Sequence, residues 1–310
     1  MEFTGELAAL CASAVWATAS LMFARLGEDI SALVLNMLKC VIALLLMLAT
    51  LYVLDGIVWP STLSTGETVA LAASGLVGLT IGDTAYFNAL NRLGPRRTLL
   101  LSALTPPMTA LMAIPVLSEP LTWQLGVGML LTMGGVVWVI MERHPGVRPE
   151  RVREQVDEDE LDGRLSRIEK IGIAFGITAA LCQATGNVLT KLGGSEISAL
   201  EISVVRLVFG IMGLAIVLGA MGRLLQTTEP TKNARTFGIL FVATFLGTFL
   251  GIWLMNAGLR YTHTGIASTL SSTSPIFILP LAYFIEGEDL TTRSILGACI
   301  AVVGVAVLFV

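Results

Sequence analysis

The chain has 310 residues, of which 55% are hydrophobic and 14% charged, with a mean hydropathy of +0.81 and a formal net charge of −4. Soluble domains carry roughly a quarter charged residues, so this composition excludes a water-soluble fold. The decisive test is continuity, because a bilayer-spanning helix needs about 20 consecutive apolar residues whose backbone satisfies its own hydrogen bonds.

Ten windows meet or approach that length, over residues 7–24, 30–53, 68–90, 98–118, 121–141, 171–190, 197–220, 236–259, 264–285 and 293–310. The first follows Glu2 and Glu6 in place of a basic segment and lacks a distinct small-residue cleavage site, so it reads as a retained helix and not a signal peptide. Lys39 in the second window, Asp83 in the third, and Glu201 and Arg206 in the seventh are the charges clearly inside these windows. Between the fifth and sixth lies the one sizeable polar stretch, Glu142 to Lys170, with 7 basic and 9 acidic residues. Cys11, Cys40, Cys182 and Cys299 all fall in predicted helices, form no CxxC pair and have no histidine nearby. They read as buried packing thiols. His144 and His263 lie in or beside loops without an HExxH arrangement, so no metal and no cofactor is expected.

The windows are duplicated. Ile30-Ser31-Ala32-Leu33 recurs as Ile197-Ser198-Ala199-Leu200, and Lys39 matches Arg206 at the same offset of 167. At an offset of 169, Gly78, Gly82, Ser102, Pro106, Glu119, Leu121, Thr122, Gly128 and Gly135 recur as Gly247, Gly251, Ser271, Pro275, Glu288, Leu290, Thr291, Gly297 and Gly304. The predicted fold is therefore an all-α integral membrane protein of about ten transmembrane helices. Residues 1–141 and 171–310 each form a five-helix repeat, and 142–170 is a charged linker. Because five is odd, the second copy enters the membrane in the opposite orientation, and two such halves can expose a midplane site to alternate faces. The alternative is that duplication only builds a larger bundle.

Pro106, Glu119-Pro120-Leu121-Thr122, Gly128 and Gly135, with their copies Pro275, Glu288-Asp289-Leu290-Thr291, Gly297 and Gly304, resemble the EamA repeat of the drug/metabolite transporter superfamily. The resemblance covers nearly the whole chain except the linker. The stretches from Trp16 to Arg25 and from Gln183 to Lys191 are similar to the tryptophan-to-lysine stretch of the family's first helix, although they differ in length by one residue and Gln183 stands where tryptophan is usual. The resemblance implies a secondary transporter, an exporter of amino-acid-like or drug-like metabolites, with both termini in the cytoplasm. There is no GxxxxGK[ST] run, so an ion gradient or substrate exchange must supply the energy.

Intramembrane charges face the bundle interior and find partners. Lys39 and Asp83 both lie roughly 12 Å from the same membrane face at 1.5 Å per residue, which allows them to pair. Two readings stand: Asp83 exchanges a proton or binds a cationic group while Lys39 counters it, or the two form a permanent tie between helices. Ile252 occupies the position equivalent to Asp83, which leaves Arg206 either to receive an anionic group or to bind carbonyls or headgroups. Glu201 is expected at the solvated helix entrance.

Trp16 with Ser20, Gln183 with Asn187, and Trp253 with Asn256 share helix faces. With Tyr86 they are substrate-site candidates, one cavity being expected to gather Trp16, Gln183, Asn187 and Trp253, although each also reads as packing. Pro106 and Pro275 mark interruptions that serve as hinges or simple kinks. Gly82 and Gly251, each four residues after Gly78 or Gly247, are hinge or close-packing candidates, and Gly172 with Gly176 is assigned to packing.

Gly82-Asp83 forms half of the GxGD pattern of intramembrane aspartyl proteases. The first position is Thr80, however, and no other helix offers a carboxylate at similar depth for a dyad. An enzyme is not expected, and a passive channel is the further alternative. The expected partners are a small-molecule substrate, the lipid bilayer and, for coupling, protons. No nucleic acid is expected, and a homodimer is left open. The expected location is the cell membrane. Fifteen basic residues fall on the linker side of the windows against two, Lys191 and Arg260, on the side of the termini. This count places the termini outside, opposite to what the family resemblance implies.

Overall fold

The computed structural model describes residues 4–60, 63–117, 123–140, 158–193, 197–261, 270, 273–286 and 291–308. Among the described residues the regular structure is entirely helical. In the first half, α1 (Thr4–Leu26), α2 (Ala32–Asp55) and α3 (Thr65–Ser74) are followed by a π-helical segment (Gly75–Asp83), and then by α4 (Thr84–Ser102), α5 (Thr105–Leu117) and α6 (Trp123–Ile140). The second half opens with α7 (Glu158–Gly193) and α8 (Ala199–Ala220), then a short connection containing α9 (Glu229–Lys232). It continues through α10 (Ala234–Thr244), a π-helical segment (Phe245–Leu250), α11 (Gly251–Tyr261), α12 (Ser274–Leu281) and α13 (Thr292–Leu308). Among the described residues six helices are long and apolar enough to cross a membrane, Thr4–Leu26, Ala32–Asp55, Thr65–Ser102, Arg167–Gly193, Ala199–Ala220 and Ala234–Met255. Three shorter apolar helices, Gly126–Val139, Ser274–Ile285 and Thr292–Val307, accompany them.

Local signals fix the helix ends. The repeated Ile-Ser-Ala-Leu is a helix start in both halves, since Ser31 and Ser198 are the N-cap residues of α2 and α8. The second copy completes a capping box, in which Ser198 Oγ accepts from the Glu201 amide and the Glu201 carboxylate accepts from the Ser198 amide at 2.8 Å. Glu201 thus caps the helix entrance. In α4, Gly94 takes φ 75° and ψ 170° just before Pro95. That backbone suits glycine alone, and it breaks the Thr65–Ser102 run between the third and fourth apolar windows. Pro106 and Pro275 sit in the first turns of α5 and α12, after turns at Ala103–Leu104 and Thr273. A proline there forfeits no intrahelical bond, so the interruption precedes each proline. The helix α7 begins at Glu158, inside the charged linker, and continues into the sixth apolar window.

The repeats do not form separate lobes. The helix α1 packs on the second half's α10–α11 region, α7 packs on the first half's π segment and α4, α2 packs on α8, and α6 packs on α13. The buried clusters mix both halves accordingly: Leu35, Phe87 and Leu90 with Leu218 and Leu240, and Cys40, Met47 and Leu51 with Leu207, Leu214 and Phe249. At the α6–α13 crossing the repeat glycines meet. A Cβ on Gly135 would lie 2.7 Å from the Gly297 carbonyl oxygen, and one on Gly304 would lie 2.8 Å from that of Gly128. Close backbone approach of this kind is how small residues join helices where lipid supplies no hydrophobic drive.

Candidate functional site

The charges inside the apolar windows meet where α2, the first π segment, α7 and α8 converge. Lys39 Nζ donates to Asp83 Oδ2 in an ion pair whose side chains are 8% and 13% exposed. Gln183 Nε2 donates to the other carboxylate oxygen, Oδ1, at 2.6 Å. One carboxylate thereby ties the second and third helical passes of the first repeat to the first helix of the second repeat. The Phe87 ring lies 5.5 Å from Lys39 Nζ, a cation–π approach that further shields the pair. Both Asp83 oxygens are held by a cation and an amide, so among the described residues neither is shared with a second carboxylate.

Arg206, the repeat mate of Lys39, points into the same junction. Its charge interacts with those of Asp83 and Lys39. Its Nε is buried without a hydrogen-bond partner among the described residues. Its Nη2 lies against Gly78 and Gly186, where an added Cβ would stand 3.2 and 3.6 Å away. Arg206 therefore neither caps carbonyls through Nε nor stands apart from the Lys39–Asp83 pair.

The π segments recur at equivalent places in the two repeats. Each holds or adjoins the glycines shared at offset 169, Gly78 and Gly82 in one and Gly247 and Gly251 in the other. π-Helical turns leave backbone carbonyls without regular partners, and side chains from neighbouring helices take them. Asn36 Nδ2 donates to Leu79 O at 2.7 Å and to Thr84 Oγ1 at 3.0 Å; in the other direction, Thr80 Oγ1 of the π segment donates to Gly210 O of α8 at 2.9 Å. Trp16 Nε1 donates to Gly247 O at 2.6 Å. Trp16 and Gln183 are repeat mates, so in each half the first helix reaches across to the opposite π segment, by an indole in one case and an amide in the other. The close fit explains the glycines: a Cβ on Gly251 would meet Trp16 Nε1 at 2.3 Å, and one on Gly82 would meet Cys182 Cβ at 3.0 Å. Gly172 and Gly176 are held equally tightly, by Leu93 and Leu101.

The other sequence candidates fall in different places. Ser20 donates to Trp16 O and shares a 2.8 Å hydrogen bond with Tyr86, one turn from Asp83. Asn187 is exposed, with a 3.5 Å hydrogen bond to Thr109 Oγ1. Trp253 is 50% exposed and packs edge-on against Phe249. It lines a cavity of about 290 Å³ with Met47, Leu200, Phe249 and Ile252, and Trp16, Gln183 and Asn187 are not among its walls. The four residues expected to share one cavity have different contact partners: Gly247 O for Trp16, Asp83 for Gln183, Thr109 for Asn187 and Phe249 for Trp253. The Asn256 side chain lies outside the described residues.

Sequence reading overlooked Asn36, which is 0% exposed and one turn before Lys39. A lone asparagine in an apolar helix at that spacing was an available signal. It also overlooked Ser13, which bonds Thr273 Oγ1 at 2.9 Å and Ser274 Oγ at 3.3 Å, joining α1 to the start of α12 on the Trp16 side of the helix.

Duplicated apolar helices that interlock across their repeats around a buried ionic cluster define a polytopic membrane protein of the transporter class. Residues 3–141 and 170–310 match the family model described as "EamA-like transporter family", and the chain belongs to that family. A curated relative, an "Uncharacterized transporter" of Clostridium kluyveri (strain ATCC 8527 / DSM 555 / NBRC 12016 / NCIMB 10680 / K1), is 22% identical over 140 residues, 45% of this chain and 45% of that protein. The chain therefore spans under half the length of that relative. A solved crystal structure superposes with a TM-score of 0.63 at 16% identity, over 99% of this chain and 96% of the other, which is a likeness of fold alone.

Proposed function

We propose that this chain is a secondary transporter that exports a small metabolite, amino-acid-like or drug-like, by alternating access through ten spans arranged as two inverted repeats. The observation that carries this reading is the Asp83 carboxylate, held by Lys39 from its own repeat and by Gln183 from the other. A single proton on that carboxylate weakens both contacts at once, and so loosens one repeat from the other. Among the described residues Lys39, Cys40, Gln183, Arg206 and Tyr86 are the polar groups that interact with it. The recurrent π segments, already short of regular backbone bonds, are the places where each half can bend. Purified protein in proteoliposomes is expected to show saturable uptake of at least one member of a metabolite panel, stimulated by an imposed pH gradient. Flux that neither saturates nor responds to any gradient would establish a passive channel instead.

The excess of basic residues on the linker side supports an orientation with both termini outside and the linker in the cytoplasm. In a background lacking the four native cysteines, a cysteine at Thr4 is expected to react in intact cells with a membrane-impermeant maleimide, whereas one at Glu154 reacts only after lysis. The reverse pattern restores the orientation implied by the family.

A further inference from the structure

We propose that the substrate carries a single carboxylate, and that Arg206 receives it beside the Lys39–Asp83 pair; this rests on the transporter reading above.

Among the described residues the charge balance of the junction is uneven. Lys39 and Arg206 bring two positive charges, while Asp83 brings one negative charge already shared by Lys39 and Gln183. The duplication accounts for the imbalance: Arg206 repeats Lys39, but the residue that repeats Asp83 is Ile252. The second copy kept the cation and lacks its acid. A lysine so placed could lose its proton, but a guanidinium stays charged, so the excess needs a counter-ion. Arg206 Nε lies buried with no acceptor among the described residues. The flanking Gly78 and Gly186 present bare backbone to Nη2.

The chemistry of the missing partner follows. One uncompensated charge matches a monoanion better than a dianionic phosphate ester, and the planar fork of a guanidinium pairs with a carboxylate through two parallel hydrogen bonds. Asp83 is the competing anion. Bound substrate and Asp83 therefore divide two cations between them, and this couples occupancy to the contact that holds the repeats together.

The full-length protein in detergent can be tested by thermal shift at constant ionic strength, with sodium benzoate, phenylacetate and pyruvate as probes. Benzamide serves as the neutral isostere, and chloride and phosphate as inorganic anions. Carboxylates are expected to raise the melting temperature in a saturable way. Arg206→Gln is expected to weaken apparent affinity by about tenfold to a hundredfold, the range for losing a charge-assisted hydrogen bond, with Arg206→Lys between. Asp83→Asn is expected to tighten carboxylate binding by removing the competitor. Lys39→Gln is expected to weaken it by releasing Asp83 toward Arg206, and Lys39→Gln/Asp83→Asn is expected to recover it. These opposite signs separate a binding site from a helix tie, and they remain readable if Arg206→Gln fails to fold. An unchanged carboxylate response in Arg206→Gln overturns the inference, as does equal protection by benzamide or chloride, or no carboxylate response in any variant. If proteoliposomes move a neutral or cationic solute equally well with Arg206→Gln, the transporter reading stands and this inference falls. If wild-type protein binds carboxylates but moves no solute, the transporter reading fails alone.

Discussion

Asp83→Ala is expected to destabilise the protein and abolish transport, whereas Lys39→Met/Asp83→Leu recovers the fold without recovering transport. The asymmetry comes from what each change leaves behind. Lys39 is 6% exposed, and with the carboxylate gone it shares the junction with Arg206 and, among the described residues, no anion. Breaking a buried pair by removing one member costs about 3–5 kcal/mol, while replacing both members by apolar side chains of similar volume is often neutral or favourable. Asp83→Asn is the milder probe, because its amide oxygen can still accept from Lys39 while the charge and the proton site are gone. It is expected to fold and to lose transport by about tenfold or more, the effect of removing a hydrogen bond to a charged group. Melting temperature in detergent together with uptake in proteoliposomes reads both quantities. Wild-type uptake by the apolar double variant would reduce the pair to a structural tie.

A second large effect is expected at the α6–α13 crossing, where Gly304→Val and Gly135→Leu should prevent stable folding. A Cβ on Gly304 would fall 2.3 Å from the Thr132 backbone nitrogen, and one on Gly135 2.6 Å from that of Ala301. Both obstacles are backbone, so no rotamer change relieves them and the helices must separate. Overpacking costs typically about 1–3 kcal/mol where side chains can yield, and more is expected here. Gly134 and Gly126 provide the internal control, since a Cβ at either meets nothing within 4 Å. Gly134→Ala should leave the melting temperature unchanged while its neighbour's substitution collapses it. Equal tolerance at positions 134 and 135 would mean that the two helices are not packed through these glycines.

The sequence made much of this site legible because depth along a helix follows from residue count. Residue count puts Lys39 and Asp83 at matching positions in adjacent apolar windows, and a buried charge needs a partner, so their pairing could be expected from the sequence alone. The helix starts at Ser31 and Ser198 and the close-packed glycines were legible for similar reasons, since caps and small-residue spacing act over one or two turns. Arg206 was half legible: the duplication showed that it lacks the acid that Lys39 has, but not that it enters the same junction.

Residue count does not give the rotation of a helix or the identity of its neighbour. That is why Trp16, Gln183, Asn187 and Trp253 could be placed on polar faces while their contact partners could not be named. Gln183 reaches Asp83 across 100 positions of sequence, and Trp16 reaches Gly247 across 231. Both contacts exist because the repeats interlock, a fact that no pattern within either repeat encodes. The π-helical segments also depended on the assembled bundle. Their carbonyls at Leu79 and Gly247 are tolerable in an apolar medium only once Asn36 and Trp16 arrive from other helices. The sequence by itself determined the membrane class, the duplication and the place of each charge along its apolar window, because these depend on composition and on residue order. Only the tertiary structure decided that both halves share one carboxylate and that Arg206 enters the same junction, because those depend on helices brought together from distant parts of the chain.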